Sequence, residues 1–287
     1  MFIVQRMFNY DIFMRMIESK LCLKYLATNA VVEFYNYRRK RIMRFKIELE
    51  LRNENLSLDY RPAVISLFKN SLTLYDDGKH FNTYYEIGKV KPFTFAVGIP
   101  NSIFTKEMIV VPNRKINITF STGDMGTGIV FFNALLMQKN KDYPLSHENA
   151  MTIKNILIEK EFVITKNSIE VMFKSPLCVR EHIKESNKDI YYSYEKEGFN
   201  QALTKVLEVQ ITNSNILPVS ILDGFSILPV RCKKTVVRHH SQFVEVTVGV
   251  FTLTGNIALL DYLYKSGVAS RKSSGFGMFE IIRKEMP

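Results

Sequence analysis

The residues best suited to form a ligand-binding site lie near the C-terminus, where Gly267–Ile282 combines glycines, serines and two adjacent basic residues. It joins a helical pattern at Gly255–Ser266 to a predicted strand at Gly277–Ile282. Glycine lets the main chain approach a phosphate closely and adopt positive φ, while hydroxyl and cationic side chains supply donors and charge. We therefore expect a phosphate-binding loop. Its candidate contact residues are Gly267, Ser270, Arg271, Lys272, Ser273, Gly275, Phe276 and Gly277.

This loop differs from the two common nucleotide-binding motifs. It lacks the Gly-Lys-Ser/Thr ending of a Walker loop, and it comes after a helix, whereas the dinucleotide fingerprint opens one. Nucleoside triphosphate chemistry is therefore unsupported. A surface turn with solvated charges is the competing interpretation.

A second basic group precedes the loop on a predicted hairpin of Lys234–His239 and Phe243–Leu253. Its candidate binding residues are Lys233, Lys234, Arg238 and His239. An exposed hairpin with ordinary charge explains these residues equally well. His239 and His240 are adjacent, so on a strand they face opposite sides and cannot hold one metal ion together.

The composition fits a nucleic-acid-binding protein with a large core. The 287 residues are 46% hydrophobic, carry a formal charge of +11 and include 14 Tyr and 21 Phe. Cations contact phosphates and aromatic rings stack on unpaired bases, although much of the Tyr and Phe must form the core. Cys22, Cys178 and Cys232 are too few and scattered for a disulfide framework or a Cys-x-x-Cys metal site. This cysteine pattern favours a reducing compartment, so we expect a cytoplasmic protein. No apolar run approaches membrane-spanning length.

The first 42 residues differ in character from the rest of the chain. Their eight basic and three acidic residues contribute +5 of the net charge, leaving +6 for the remainder. Met43–Leu51 then alternates apolar and charged residues, a pattern typical of a half-buried strand. We interpret residues 1–42 as an N-terminal extension outside the core.

Hydrophobic periodicity predicts an α+β protein of two similar domains. In residues 43–165 the predicted order is β-α-β-β-α-β, from strands at Met43–Leu51, Lys91–Val97, Glu107–Val111, Lys115–Phe120, Ala150–Ile158 and Glu161–Thr165, and helices at Tyr60–Leu72, His80–Glu86 and Ile129–Met137. In residues 166–287 the pattern recurs, from strands at Ile169–Phe173, Lys234–His239, Phe243–Leu253 and Gly277–Ile282, and helices at Asn200–Val209 and Gly255–Ser266. Both domains are predicted to be ferredoxin-like, with a boundary near residues 160–168.

Several ordered motifs together resemble one family. The most specific is Gly267–Met278 followed by a strand, and the supporting landmarks are Met43–Ile47, Lys91–Phe95, Phe173–Arg180 and Gly249–Gly255. The chain resembles the CRISPR-associated endoribonucleases that cut precursor CRISPR RNA within its repeats, members of the RAMP superfamily. One departure is Ala269, where the family usually has a second glycine.

The resemblance implies tandem ferredoxin-like domains and RNA cleavage without metal or cofactor. The 2′-hydroxyl would attack the adjacent phosphorus, leaving a 2′,3′-cyclic phosphate and a 5′-hydroxyl. The implied partners are repeat RNA, as precursor and as mature guide, and the subunits of a CRISPR effector complex that receives the guide. The sequence leaves open whether the protein forms a homodimer. The alternative is a repeat-RNA-binding subunit without nuclease activity. A structural or small-molecule-binding protein of the same fold is disfavoured by the basic glycine loop.

The resemblance also indicates catalytic residues. In the family a histidine shortly after the first helix commonly performs the acid–base work, helped by Tyr or Lys. His80 is the only histidine in that region, but counting back from Phe93 places the family position on Tyr85. We favour His80 as the base or acid, Tyr85 as its partner or replacement, and Lys91 as the phosphate cation. A solvent-facing loop histidine, with Tyr85 in the core, is the other interpretation.

Overall fold

The computed structural model describes residues 43–86, 91–160 and 162–282. The first half contains β1 (Met43–Leu51), β2 (Asn55–Ser57), α1 (Arg61–Leu74), α2 (Phe81–Tyr85), β3 (Phe93–Gly98), β4 (Ile103–Phe104), β5 (Met108–Val110), β6 (Lys115–Thr122), α3 (Met125–Leu136), β7 (Asp142–Pro144) and β8 (Ala150–Ile158). The second half contains β9 (Ser168–Phe173), β10 (Val179–Ile183), β11 (Lys188–Tyr192), α4 (Phe199–Ser214), β12 (Ser226–His239), β13 (Gln242–Thr254), α5 (Ile257–Ser266) and β14 (Phe279–Ile281). None of the described helices combines the length and apolar character needed to cross a bilayer.

Each half contains an antiparallel sheet with the same strand connectivity. The first sheet has the order β3-β6-β1-β8-β7 and the second the order β12-β13-β9-β14. If the strands of each βαββαβ unit are counted from one to four, both orders begin two-three-one-four, which is the ferredoxin-like arrangement. The predicted pair of ferredoxin-like domains is therefore confirmed. The limits 43–165 and 166–287 stay predictions, and the prediction for residues 1–42 lies outside the described residues.

The first core forms between the sheet and the helices α1 and α3. Alternation along β1 buries Phe45, Ile47 and Leu49 on the helix side of the sheet. Phe68 of α1 is fully buried, and its ring lies edge-on to four other rings at centroid distances of 5.2–6.4 Å. Such T-shaped contacts add to the stabilisation from apolar burial. This core holds α1 against the sheet and so positions the residues at the helix's C-terminal end.

The opposite face of the first sheet contacts the second half. Ser121 Oγ donates to the Lys265 carbonyl at 2.9 Å. Arg44, only 2% exposed, pairs with Glu159 at 3.2 Å and lies 4.8 Å from the ring centre of Tyr264. A buried arginine must have such partners, because an unpaired buried charge is costly. The two domains therefore pack together through polar groups of β1 and β6 and the end of α5.

Two local predictions are wrong or incomplete, and one hairpin was not predicted. Residues 162–165 form no strand, although Ile164 is buried in the second core. The strand predicted at Glu107–Val111 is present as β5, but it pairs with β2 and β4 in a separate three-stranded sheet. The β10–β11 hairpin was not predicted, since its mixed polar residues carry little periodic signal.

Candidate nucleic-acid interface

The glycine-rich segment closes on itself. Val268 donates its backbone N–H to the Gly277 carbonyl at 2.8 Å, so residues 268–277 form a loop with joined ends. Gly277 has φ +72°, and a Cβ placed there would lie 2.0 Å from the Val268 carbonyl oxygen. No other residue fits this approach without moving the backbone. Gly277 therefore serves the closure of the loop.

The loop also packs against the first domain. Gly267 lies against the side chain of Thr94, and Thr94 Oγ1 donates to the Phe276 carbonyl at 3.0 Å. Arg61 Nε donates to the Gly275 carbonyl at 3.3 Å, and Gly275 lies against the ring of Phe95. These carbonyls and glycines are occupied by protein contacts. The loop is thus part of the domain interface as well as a candidate phosphate site.

Ala269 takes the left-handed conformation that glycine favours. Its φ is 68° and it is 3% exposed. Gln210 of α4 holds the backbone on both sides, because its Oε1 accepts from Ala269 N at 3.1 Å and its Nε2 donates to the Gly267 carbonyl at 2.9 Å. The family's usual glycine position thus keeps a glycine-like backbone here despite the methyl group, at the cost expected for an L residue at positive φ.

The cations of the loop have different environments. Arg271 Nη2 donates to Asp189 Oδ2 at 3.2 Å and to Tyr191 Oη at 2.8 Å. Lys272 is half-buried, and desolvation lowers the pKa of its ammonium to about 7. Arg271 is therefore paired within the protein, and burial disfavours the charged form of Lys272.

The hydroxyl groups of the loop are partly exposed. Ser270 joins the loop to β10, since its N–H donates to the Cys178 carbonyl at 2.9 Å and its Oγ accepts from Arg180 N at 3.2 Å. Ser273 lies in a 3₁₀ turn and has intermediate exposure. Phe276, by contrast, is fully buried, with the Arg61 guanidinium 4.8 Å from its ring centre. Its ring packs in the protein and is not available for base stacking.

The β12–β13 hairpin presents basic and aromatic side chains together. Lys233, Lys234 and Arg238 are exposed. Phe243 is 73% exposed, with the Arg238 guanidinium 5.7 Å from its ring centre. A cation beside an exposed ring suits a single-stranded nucleic acid, which offers phosphates and unstacked bases.

His239, grouped in the sequence with these contacts, is 1% exposed. Its ring lies 5.4 Å from that of Phe276, and burial followed by the charge of His240 lowers its pKa to about 4. His240 belongs to the turn, with φ 49°, and its ring is 4.4 Å from that of His239. The expectation that the two rings lie on opposite sides of a strand is therefore wrong, because the strand ends between them.

The candidate catalytic histidine, His80, is paired with the carboxylate of Asp76. His80 Nε2 lies 3.1 Å from Asp76 Oδ2, and the ring stacks on Tyr75 with centroids 5.7 Å apart. The side chain is 30% exposed. This pairing orients the ring and leaves Nδ1 available for proton exchange with a ligand.

Tyr85 and Lys91 lie together, and the structure adds Lys69 to them. The Lys91 and Lys69 ammoniums are 5.4 and 5.2 Å from the ring centre of Tyr85. Desolvation, followed by the charge of Lys69, lowers the pKa of Lys91. Tyr85 Oη is buried without a hydrogen-bond partner among the described residues, and burial raises its pKa. The two neighbouring cations are suited to an anion, whereas the Tyr85 hydroxyl is covered by protein.

His80 and the cluster of Lys69, Tyr85 and Lys91 lie at different distances from the glycine-rich loop along α1. Arg61, at its start, contacts Gly275, while Tyr75, just after its end, contacts His80. At 1.5 Å per residue these two ends are about 20 Å apart, and Lys69 lies about 12 Å from Arg61. The Lys69, Tyr85 and Lys91 cluster is therefore nearer to the loop along this helix than His80 is. Sequence analysis missed Lys69, because an exposed helical lysine carries no distinguishing pattern.

The comparisons with known proteins agree with this architecture. Residues 158–281 match the family model described as CRISPR associated protein Cas6, C-terminal. No curated protein is significantly similar to the chain in sequence.

Several solved structures are similar to most of this chain. One, described as a Cas6-related gene from Pyrococcus furiosus, has a TM-score of 0.73 at 19% identity and covers 85% of this chain and 100% of its own. A RAMP protein binding different RNA substrates has a TM-score of 0.69 at 18% identity, covering 84% and 100%. A Cas6 product complex from Thermus thermophilus has a TM-score of 0.63 at 15% identity, covering 84% and 100%.

At these identities the structural matches establish the fold, and the family match covers the C-terminal domain with its glycine-rich segment. Residues 158–281 therefore correspond to the C-terminal domain of the CRISPR-associated Cas6 proteins, within a chain that folds as tandem ferredoxin-like domains.

Proposed function

We propose that this protein is a metal-independent endoribonuclease that cleaves precursor CRISPR RNA within its repeats and so produces mature guide RNA. The similarity of residues 158–281 to the Cas6 C-terminal domain supports a role in binding or processing CRISPR repeat RNA. The observation that carries the proposal is the Cas6 match at residues 158–281, which contains the glycine-rich segment. The proposed setting is the cytoplasm, with effector-complex subunits and a second copy of the chain as further partners.

The proposed reaction uses the 2′-hydroxyl of the RNA as nucleophile. A base removes its proton, the 2′-oxygen bonds to phosphorus, and the bond from phosphorus to the 5′-oxygen breaks. The leaving 5′-oxygen takes up a proton, so the products are a 2′,3′-cyclic phosphate and a 5′-hydroxyl. Catalysis then requires proton transfer, charge stabilisation at the phosphorane and a grip that aligns the three reacting atoms.

The described residues supply groups for each of these tasks. His80, oriented by Asp76 at 3.1 Å, is the proposed acid or base. Lys91, with Lys69 beside the same Tyr85 ring, is the proposed cation for the phosphorane. The hydroxyl of Tyr85 is buried without a partner among the described residues, so it could donate to a phosphate oxygen only if RNA binding uncovers it. The glycine-rich loop and the basic hairpin are the proposed grip on flanking nucleotides.

A cleavage assay tests this proposal. The purified protein is incubated with a labelled repeat RNA in EDTA, and the product ends are identified. We expect one cut and a cyclic-phosphate end, and no cut when the ribose at the scission point is replaced by deoxyribose. Cleavage only with added divalent metal, or undiminished cleavage of the deoxy substrate, would contradict the mechanism.

The second candidate is a subunit that binds repeat RNA without cutting it. The high pKa of the Tyr85 hydroxyl and the distance of about 20 Å along α1 between His80 and the loop contacts favour this alternative. It predicts that the intact repeat is bound and protected in the same assay. Tight binding without cleavage would select it.

A further inference from the structure

The β10–β11 hairpin brings four donors to one carboxylate beside the glycine-rich loop. Arg180 Nη1 donates to both oxygens of Asp189, at 3.1 and 3.0 Å. His182 Nδ1 lies 2.9 Å from Oδ1, and Tyr191 Oη and Arg271 Nη2 each donate to Oδ2 at 3.2 Å. Burial opposes the charge of Asp189, but the hydrogen bonds from His182 and Arg180 and the charge of Arg180 lower its pKa to about 2.

The charges in this cluster do not balance. Two guanidiniums share one carboxylate, so the cluster has a net positive charge before His182 is counted. Arg180 and His182 are 35% and 41% exposed, so they reach solvent. Arg180 uses only Nη1 for Asp189, so the rest of its partly exposed guanidinium is not engaged by this carboxylate. Donors therefore remain for a further anion, because a guanidinium carries five N–H groups.

The cluster is joined to the glycine-rich loop by the backbone. Ser270 N–H donates to the Cys178 carbonyl and Ser270 Oγ accepts from Arg180 N, at 2.9 and 3.2 Å. Along β10 successive side chains alternate, so Arg180 and His182 share one face, and Glu181 lies on the other, where it pairs with Lys205 at 3.1 Å. The loop and this face of the hairpin therefore form one continuous surface.

We propose that Arg180, His182 and Arg271 form a binding surface for an RNA phosphodiester, and that Asp189 is the positioning residue that holds them in one arrangement. This inference rests on the proposed function, because it takes repeat RNA as the ligand. Fixing the guanidiniums before binding lowers the entropy lost when a phosphate arrives. The carboxylate thus aids the binding of an anion although it shares the anion's charge.

Asp189→Asn tests this inference, because the two explanations predict opposite changes in RNA affinity. The change raises the formal charge by one, so bulk electrostatics predicts tighter RNA binding, whereas the positioning role predicts about tenfold weaker binding through the loss of charge-assisted hydrogen bonds. Glu181→Gln is the matched control, since it makes the same charge change on the opposite face. We expect it not to weaken binding. Asp189→Glu should restore part of the affinity.

The salt dependence of RNA binding is a second measurement, and a loss of folding stability alone would not change its slope. Arg180→Ala should lower the slope of log K against log salt by about one, the value for one lost phosphate contact, and His182→Ala should also weaken binding. If Asp189→Asn fails to fold, the Arg180→Ala and His182→Ala variants, at partly exposed positions, still test whether this surface binds RNA. If the wild type does not bind repeat RNA, the proposed function fails. If it binds, and these variants match it in affinity and slope, the inference is wrong while the function stands.

Discussion

The guanidinium of Arg61, at the start of α1, lies 4.8 Å from the ring centre of Phe276 in the glycine-rich loop. Its Nε also donates to the carbonyl of the preceding Gly275, at 3.3 Å. His239, at the end of β12, lies against the same ring. One aromatic side chain thus connects the first domain, the glycine-rich loop and the basic hairpin.

Phe276→Ala should therefore lower stability. Because the ring is fully buried, its removal should reduce the free energy of unfolding by about 3–5 kcal/mol, the usual cost of truncating a buried phenylalanine. Phe243→Ala is the matched control, since Phe243 is 73% exposed and its loss should cost less than about 0.5 kcal/mol. Denaturant unfolding of both variants measures the difference. Equal small losses would show that Phe276 is not the anchor of this interface.

His239 should make stability depend on pH. Its folded pKa of about 4 lies below the ordinary value of 6.5, so the unfolded chain binds more protons between these values. Stability should therefore be fully present above pH 6.5 and decline as pH falls towards 4, by at most about 3 kcal/mol from 1.36 kcal/mol per pKa unit. His239→Gln should reduce this slope, whereas His147→Gln, at an exposed position, should keep it. Thermal unfolding from pH 4 to 7 tests this, and an unchanged slope in His239→Gln would contradict it.

Tyr85→Phe separates catalysis from folding. The hydroxyl is buried without a partner among the described residues, so its removal should leave stability unchanged or raise it by up to about 1 kcal/mol. If the hydroxyl contacts the scissile phosphate, single-turnover cleavage should nevertheless slow. A variant that is as stable and as fast as the wild type would leave Tyr85 with a packing role only.

His80→Ala should slow cleavage by about 10²- to 10⁴-fold, the usual contribution of a general acid or base, with little change in RNA affinity. His147→Ala serves as the control for loss of an exposed imidazole. Cleavage rates and binding constants are measured on the same repeat RNA. If His80→Ala cleaves normally and Tyr85→Phe does not, the acid–base role belongs to Tyr85.

Lys69→Ala should lower the cleavage rate by about tenfold. The expected effect is smaller than the 10²- to 10³-fold typical of a buried transition-state donor, because Lys69 is exposed and Lys91 remains. Lys205→Ala, which removes a 68% exposed lysine of the second domain, should leave the rate unchanged. Equal rates for both variants would remove Lys69 from the proposed site.

Periodicity along the chain was sufficient to predict the elements that form each sheet. The alternation in Met43–Leu51 and Ala150–Ile158 predicted β1 and β8 with the bounds that the structure has, because a buried face marks every second residue of a strand. The same reasoning predicted α1, since its buried residues recur every three or four positions. The glycine-rich motif likewise indicated the family whose C-terminal model matches residues 158–281.

Only the tertiary structure decided what individual side chains do. Arg271 pairs with Asp189, 82 residues away, and Lys69 and Lys91 meet over Tyr85. An aromatic residue in a basic, glycine-rich loop, such as Phe276, is expected to stack on a base. Packing against Arg61 buries it instead. Local patterns record the period of a strand or helix, because that period repeats along the chain. The partner and exposure of a side chain depend on segments distant in sequence, and these come together only when the domains pack.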